Sequence, residues 1–242
     1  MDSMPNIRVV LMQTSHPGNI GAAARAMKTM CLERLYLVRP QQFPHANATA
    51  RAAGAEDILA NATLCGSLDE ALQDAHLVIG TSTRSRSLAW PQLDPRTCAE
   101  RILTESAAGE AALVFGPERA GLSNAELDRC HFVTAIPCNP AYRSLNLAAA
   151  VQVLCYELMM RAQEALKFEV VEPEEPLAAA GDLELFYLHL EQTLIELGFL
   201  NPANPRYLIR RLRRLFNRAR LTDNEVNILR GILSATRASR AG

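Results

Sequence analysis

Three junctions in the first two thirds of the chain gather most of the side chains able to do chemistry. They read HPGNIGAAARAMKTM (16–30), VFGPERAGLSNAEL (114–127) and AIPCNPAYRSLNLAAAVQVLCYEL (135–158). Each follows a short apolar, β-branched run, crosses a turn rich in Gly, Pro or Asn, and opens a helix, as α/β proteins do where they gather ligand loops at the carboxyl ends of parallel strands. In the first, Gly18 and Gly21 are expected to let the backbone turn and approach a ligand. Asn19 can cap the helix or face the site, and Arg25, set among alanines, can reach out over the helix start, where anions bind well. In the second, Gly116 and Gly121 frame a turn carrying Glu118 and Arg119, and Ser123 with Glu126 forms the next cap. In the third, Ser144 stands where an N-cap or a site hydroxyl would stand, and Asn146 reads as a site amide because it has no evident capping duty.

What is absent narrows the chemistry. The second turn lacks the lysine of a phosphate-cradling loop, and no G-x-G-x-x-G occurs, which argues against a dinucleotide fold. Neither a Ser-His-Asp order nor a paired carboxylate is visible near the turns. Turns, hydroxyls, amides and one arginine suit binding of an adenosine-like ligand and positioning of an RNA group better than hydrolysis.

These junctions require strands and helices in alternation, hence a parallel sheet covered on both faces. IRVVLM (7–12), LYLVRP (35–40), LVIGTSTR (77–84), residues 111–116 and residues 131–137 read as strands. Helices are expected from about Ile20 to Met30, over 50–60, after the Ser67/Glu70 spacing, over 95–105 and from Ser144 to about Lys167, with 85–95 as loop. VEPEEP (171–176) reads as linker. Beyond it three helical patterns follow: Leu183, Phe186, Leu190, Leu194 and Leu197, then Leu208, Leu212, Leu215 and Phe216, then Val226 to Ser234 behind a Thr222/Glu225 cap. The expected division is a domain over 1–168, an acidic proline-containing linker over 169–181, and a small all-α extension over 182–242.

With 242 residues, 49% of them hydrophobic, a sizeable core is available. No apolar run is long enough to span a bilayer and MDSMPNIR is no export signal, so a cytoplasmic protein without a membrane partner is expected. Six cysteines without a C-x-x-C pair read as reduced thiols, and scattered histidines give no metal site. The net charge of −1 hides an asymmetry. Residues 168–205 contain acids but no Lys or Arg, whereas Arg206, Arg210, Arg211, Arg213, Arg214, Arg218 and Arg220 follow without one acid. That block is a candidate phosphate-binding surface. Arg84 and Arg86 are further candidates for RNA contact, with the neighbouring Trp90 read as a packing residue.

In combination, NIGAAAR (19–25), FGPERAGL (115–122) and IPCNPAYRSLNLAAAVQV (136–153) resemble the three motifs of the SpoU branch of the SPOUT methyltransferases, and the likeness extends over nearly the whole chain. The resemblance implies a parallel sheet whose later part threads as a trefoil knot. It implies S-adenosylmethionine bound at Thr81, Ser82, Thr83, Gly116, Glu118, Gly121, Ile136, Ser144, Leu145 and Asn146, no metal, and catalytic roles for Arg25, Asn19 and Ser144. It further implies a homodimer with active sites at the interface and tRNA, not DNA, as partner. The reaction implied is methylation of a ribose 2′-hydroxyl, at cytidine or uridine 32 of the anticodon loop. Ribosomal RNA as substrate, or a catalytically silent RNA-binding protein of the same fold, are the competing readings.

Overall fold

The computed structural model describes residues 4–82, 90–142, 144–165 and 175–241. The elements in order are β1 (Ile7–Met12), α1 (Pro17–Thr29), β2 (Arg34–Val38), α2 (Ala46–Ala52), α3 (Glu56–Ala60), β3 (Thr63–Cys65), α4 (Leu68–Leu72), β4 (Ala75–Thr81) and β5 (Gln92–Leu93). Then come α5 (Pro95–Ser106), β6 (Glu110–Phe115), α6 (Asn124–Leu127), β7 (Phe132–Thr134), α7 (Leu147–Ala165), α8 (Ala180–Glu196), α9 (Leu208–Ala219) and α10 (Asp223–Ala241).

The seven strands form one sheet in the order β3-β2-β1-β6-β4-β7-β5, and every pairing is parallel. Its central strands read as near-continuous apolar runs because both faces are covered. Val9, Leu11, Leu35, Leu37, Ile79, Leu113 and Phe115 pack with α1, α5 and α7 residues on one face. Val10, Met12, Val38, Val78 and Val114 alternate with them to the other face, packing with Leu68, Leu72 and Leu127. From β1 the chain moves outward to β2 and β3, whereas from β6 it moves the other way to β7. The switch point therefore falls between β1 and β6, where α/β sheets open a crevice at their carboxyl ends.

Several expectations are corrected. The single helix expected over 50–60 is two short helices, broken where Ala53 and Gly54 both take positive φ (43° and 94°). β3 and β5 were not anticipated; both are edge strands of two or three residues, too short to show a period. Helix α1 starts at Pro17, because proline is favoured in a first turn and the His16 ring nitrogen accepts from Gly18 N–H at 3.1 Å. No described helix is long and apolar enough to cross a membrane.

The extension closes a core of its own around Leu183, Phe186, Tyr187, Leu221 and Val226, with Phe186 edge-on to Phe216 at 5.0 Å. Part of the expected linker belongs to it: Ala178 is buried and donates its N–H to Leu221 O at 2.9 Å, and Leu177 bridges Thr222. Residues 166–174 lie outside the described structure. The extension seats on the amino ends of β4 and β7. Gly181 N–H donates to Gln73 O at 3.2 Å, and the buried Asn217 amide donates to Cys130 O at 3.2 Å.

At this seam His131 is 3% exposed, and its Nδ1 accepts from Val78 N–H at 2.9 Å. Burial, with His76 nearby, holds its pKa down to about 4, below the ordinary 6.5. The unfolded chain therefore binds the proton first as pH falls. The stabilisation is complete above pH 6.5 and is lost as pH falls towards 4, amounting to about 3 kcal/mol at the low end. Thermal unfolding of the wild type and of His131→Gln across this window checks it. The difference between their stabilities should shrink with acid; a constant difference would assign the pH dependence to other groups.

Candidate active site

The carboxyl ends of β4, β6 and β7 carry a cavity of about 410 Å³, within the range of small-molecule sites. Thr81 and Ser82 extend β4 into it, Phe115 to Arg119 and Gly121 enter from β6, Thr134 and Ile136 from β7, and Ser144, Leu145, Leu147 and Ala150 from the start of α7. Of the ten residues expected to bind cofactor, Thr83 falls outside the described residues, as do Arg84 and Arg86, and Asn146 is not on the cavity wall. The other eight line it together. Phe115 and Thr134 went unmarked in the sequence; both are the last residues of strands aimed at the site, which is the signal that could have found them.

The turn after β6 is tight because its ends touch. A Cβ on Gly116 would lie 2.3 Å from Leu122 N and 2.4 Å from Gly121 C, and Gly121 has φ +64°. This fold-back presents backbone, not side chain, to the cavity. Gly21 has a different role from the one expected. It lies inside α1, where a Cβ would fall 1.9 Å from Ala48 O, so it serves close packing of α1 on α2 and not approach of a ligand.

Two side chains tie the three junctions to one another. The Glu118 carboxylate accepts from Ser15 N–H and Oγ–H at 3.0 Å each, from His16 N–H at 3.3 Å and from the Asn19 amide at 2.9 Å. Burial alone would raise its pKa. The donors from Ser15, Asn19 and His16 outweigh burial and hold it below the ordinary carboxylate value. The Asn19 carbonyl in turn accepts from the Asn146 amide at 3.0 Å. Glu118 therefore spans the crevice between β6 and β1 and is spent on fixing the first junction, although it also borders the cavity. Asn146 does have a capping duty, since its Oδ1 accepts from Ala148 N–H at 2.9 Å and it is the residue before α7. That leaves Ser144 exposed on the cavity rim, not capping the helix.

Arg25 is exposed on α1 and is not among the lining residues. Helix α7 packs against α1, and Tyr142 (77%), Leu145 (41%), Tyr156 (47%) and Met160 (38%) are exposed on the loop before α7 and on α7 itself.

Comparison with known proteins gives this geometry a lineage. The family model described as SpoU rRNA Methylase family matches residues 6–156. The chain belongs to that family. A second family model, the C-terminal domain of the tRNA methyltransferase TrmJ, matches residues 181–242. The tRNA (cytidine/uridine-2′-O-)-methyltransferase TrmJ of Pectobacterium atrosepticum is 54% identical over 96% of this chain and 97% of its own. The tRNA (cytidine/uridine/adenosine-2′-O-)-methyltransferase TrmJ of Pseudomonas aeruginosa is 52% identical over 99% and 96%. The crystal structure of TrmJ from Z. mobilis superposes with a TM-score of 0.83 at 31% identity, covering 98% of this chain and 99% of that one. The fold expected from the motifs, a parallel sheet with helices on both faces and a helical extension, is the fold of these relatives.

Within this SpoU methylase the arginine block divides. Arg206, Arg211 and Arg218 are exposed, with no side-chain partner among the described residues. Arg210 pairs with Asp128, Arg213 with Glu184, and Arg220 with Glu105. Arg214 is also engaged. The sequence could not separate them, because all seven are equally basic and only the docking of α9 turns some inward.

Proposed function

We propose that this chain transfers a methyl group from S-adenosylmethionine to a ribose 2′-hydroxyl of tRNA, at cytidine or uridine 32 of the anticodon loop, as a cytoplasmic homodimer. The observation that carries the reading is the side-chain chain Glu118–Asn19–Asn146, which binds the three family motifs into one rim beside the cavity. The residues present fit the cofactor. Phe115, Ile136, Leu145 and Leu147 offer an apolar slot for an adenine ring. At Gly116 the missing Cβ, which would lie 2.3 Å from Leu122 N and 2.4 Å from Gly121 C, leaves the backbone of the turn open to a polar ligand. Thr81, Ser82, Gly116, Gly121, Ile136, Ser144 and Leu145 would hold it, with Thr83 beyond the described residues.

Bound there, S-adenosylmethionine supplies a sulfonium methyl group for attack by the 2′-oxygen, leaving S-adenosylhomocysteine and one proton. The residues of this chain position the nucleophile and balance its charge, and such positioning can supply roughly 7–11 kcal/mol. Asn19 is held at fixed orientation from both ends of its amide. Ser144 stands exposed on the cavity rim. A guanidinium offers donors only and serves poorly as a base, so Arg25 clamps the target phosphate and stabilises the developing alkoxide, while a substrate phosphate oxygen or water takes the proton. Because Arg25 lies outside its own protomer's cavity, on the helix packed against α7, which exposes Tyr156 and Met160, the reading places it at the site formed with a second copy. DNA is excluded as substrate by chemistry, since it has no 2′-hydroxyl.

The exposed Arg206, Arg211 and Arg218 are assigned to phosphate contact. In filter binding across salt concentrations, Arg211→Met or Arg218→Met is expected to weaken tRNA binding and lower the log–log salt slope by about 0.7–0.9 each. An unchanged slope removes that residue from the RNA surface. The reaction itself is tested by methyl transfer from labelled S-adenosylmethionine to unmodified tRNA and to ribosomal RNA, with nuclease mapping. Label on a 2′-oxygen of the anticodon loop is the expected result. Label in ribosomal RNA alone overturns the substrate, and cofactor binding without transfer overturns the activity.

A further inference from the structure

Helix α9 carries a polar seam. Arg210, Arg213 and Asn217 recur at steps of three and four, which places them along one face of the helix, and Arg220 follows as the left-handed residue that closes it. This face meets the rest of the chain. Arg210 Nε lies 3.0 and 2.9 Å from the two Asp128 oxygens, and its guanidinium sits over the Trp90 ring, 5.5 Å from the centroid. Arg213 grips Glu184 and lies 4.4 Å over the Tyr187 ring. Arg220 donates to His76 O at 2.9 Å and pairs with Glu105. Surface arginines meant for phosphates gain nothing from such internal partners, which hold the guanidinium away from RNA and add a cost to its release.

Arg210 differs from the other two in what it holds. Trp90 is 8% exposed and precedes β5. At the other end of the same connection, Thr81 and Ser82 line the cofactor cavity. The two ends are joined covalently through residues 83–89. One end of this connection is thus a wall of the cavity, and the other lies beneath a side chain of the helix that also carries the exposed Arg211 and Arg218. Asp128, the second partner, stands between α6 and β7, and β7 also ends at the cavity with Thr134.

We propose that Arg210, clamped between Trp90 and Asp128, is a positioning residue for RNA methylation: it holds the helical extension at a fixed distance from the cavity so that the exposed arginines and the reacting ribose are engaged together, and it does not itself contact RNA. This rests on the reading of the chain as a tRNA methyltransferase.

The test uses the full-length chain and its Arg210→Asp, Asp128→Arg, combined swap, Arg210→Met and Arg211→Met variants. Steady-state methylation of full-length unmodified tRNA, titration with S-adenosylmethionine, and the salt dependence of tRNA binding are measured. Each charge reversal alone is expected to raise KM for tRNA by roughly tenfold, with recovery of most of that loss in the swap, and cofactor affinity should stay at the wild-type level. Arg210→Met, which keeps the stem against Trp90, should leave the salt slope at the wild-type value, whereas Arg211→Met lowers it by about one phosphate contact. A lowered slope in Arg210→Met would overturn the proposal by making Arg210 an RNA contact. Wild-type KM in Arg210→Asp and Arg210→Met would overturn it by making the clamp inert, and both results leave the methyltransferase reading standing. A wild-type chain that methylates no tRNA sinks that reading and the clamp with it. Should the swap fail to fold, Asp128→Asn with Arg210→Met supplies the same cycle, its non-additivity being the expected sign of coupling.

Discussion

An Arg25→Ala chain should bind S-adenosylmethionine with wild-type affinity and transfer its methyl group about a hundred- to a thousand-fold more slowly, the range seen when one charge-stabilising donor is removed from a reacting centre. The two halves of this expectation have separate grounds. Cofactor affinity is kept because Arg25 contributes nothing to the cavity wall, which is built from the carboxyl ends of β4, β6 and β7 and the start of α7. Turnover is lost because the exposed guanidinium is assigned to the phosphate and the developing alkoxide of the RNA. Single-turnover transfer at saturating tRNA, beside a cofactor titration, separates the two. Arg25→Lys is the sharper variant: a point charge without the planar fork should recover only part of the rate. Near-normal turnover in Arg25→Lys would rule out the bidentate clamp, and a matching loss of cofactor affinity in Arg25→Ala would move Arg25 into the cofactor site.

Gly116→Ala should cost cofactor binding on the order of ten- to a hundred-fold, as expected where overpacking forces the backbone to move. The added Cβ would meet Leu122 N and Gly121 C at 2.3 and 2.4 Å. Both are backbone atoms of the same turn, so no side chain can rotate away and the fold-back between β6 and α6 must open. Pro117, Glu118 and Gly121 line the cavity from that turn, so the wall moves with it. Glu118 would also lose its register with Ser15 and Asn19, loosening the first junction. Gly121→Ala provides the contrast, because its Cβ meets nothing within 4 Å and only the φ of +64° opposes it. Its cost should be about 1 kcal/mol. Calorimetric titration of both variants decides the matter: equal, small losses would mean that the turn does not form the cofactor wall.

The fold class was legible because parallel strands buried on both faces leave near-continuous apolar runs, as in IRVVLM with its single charge at Arg8, and because glycine turns followed by capped helices mark where such strands end. The caps themselves were readable one by one: Ser123 with Glu126 and Thr222 with Glu225 form the reciprocal bonds their spacing predicts. The motif residues gathered as expected, since eight residues taken from four separate stretches line one cavity. Where a local rule failed, a contact from far along the chain had decided the outcome. Gly21 looked like a ligand-approach glycine and is a packing glycine, because Ala48 of α2 lies against it. Ser144 looked like the cap of α7, and Asn146 takes that place while also reaching 127 positions back to Asn19. Glu118 looked like a turn charge and is the tie between two junctions about a hundred residues apart.

By itself, then, the sequence determined which residue types were available, where the strands ended and which stretches would be helical, because those follow from period, turn chemistry and capping over a few neighbouring residues. Only the tertiary structure decided which of several equivalent side chains act. The arginines of 206–220 share charge and one short stretch of chain, yet Arg210, Arg213 and Arg220 are held by Asp128, Glu184 and Glu105 while Arg206, Arg211 and Arg218 face solvent. The physical reason is that a charge acquires its role from the partner it meets, and a partner supplied by another part of the fold leaves no trace in local spacing.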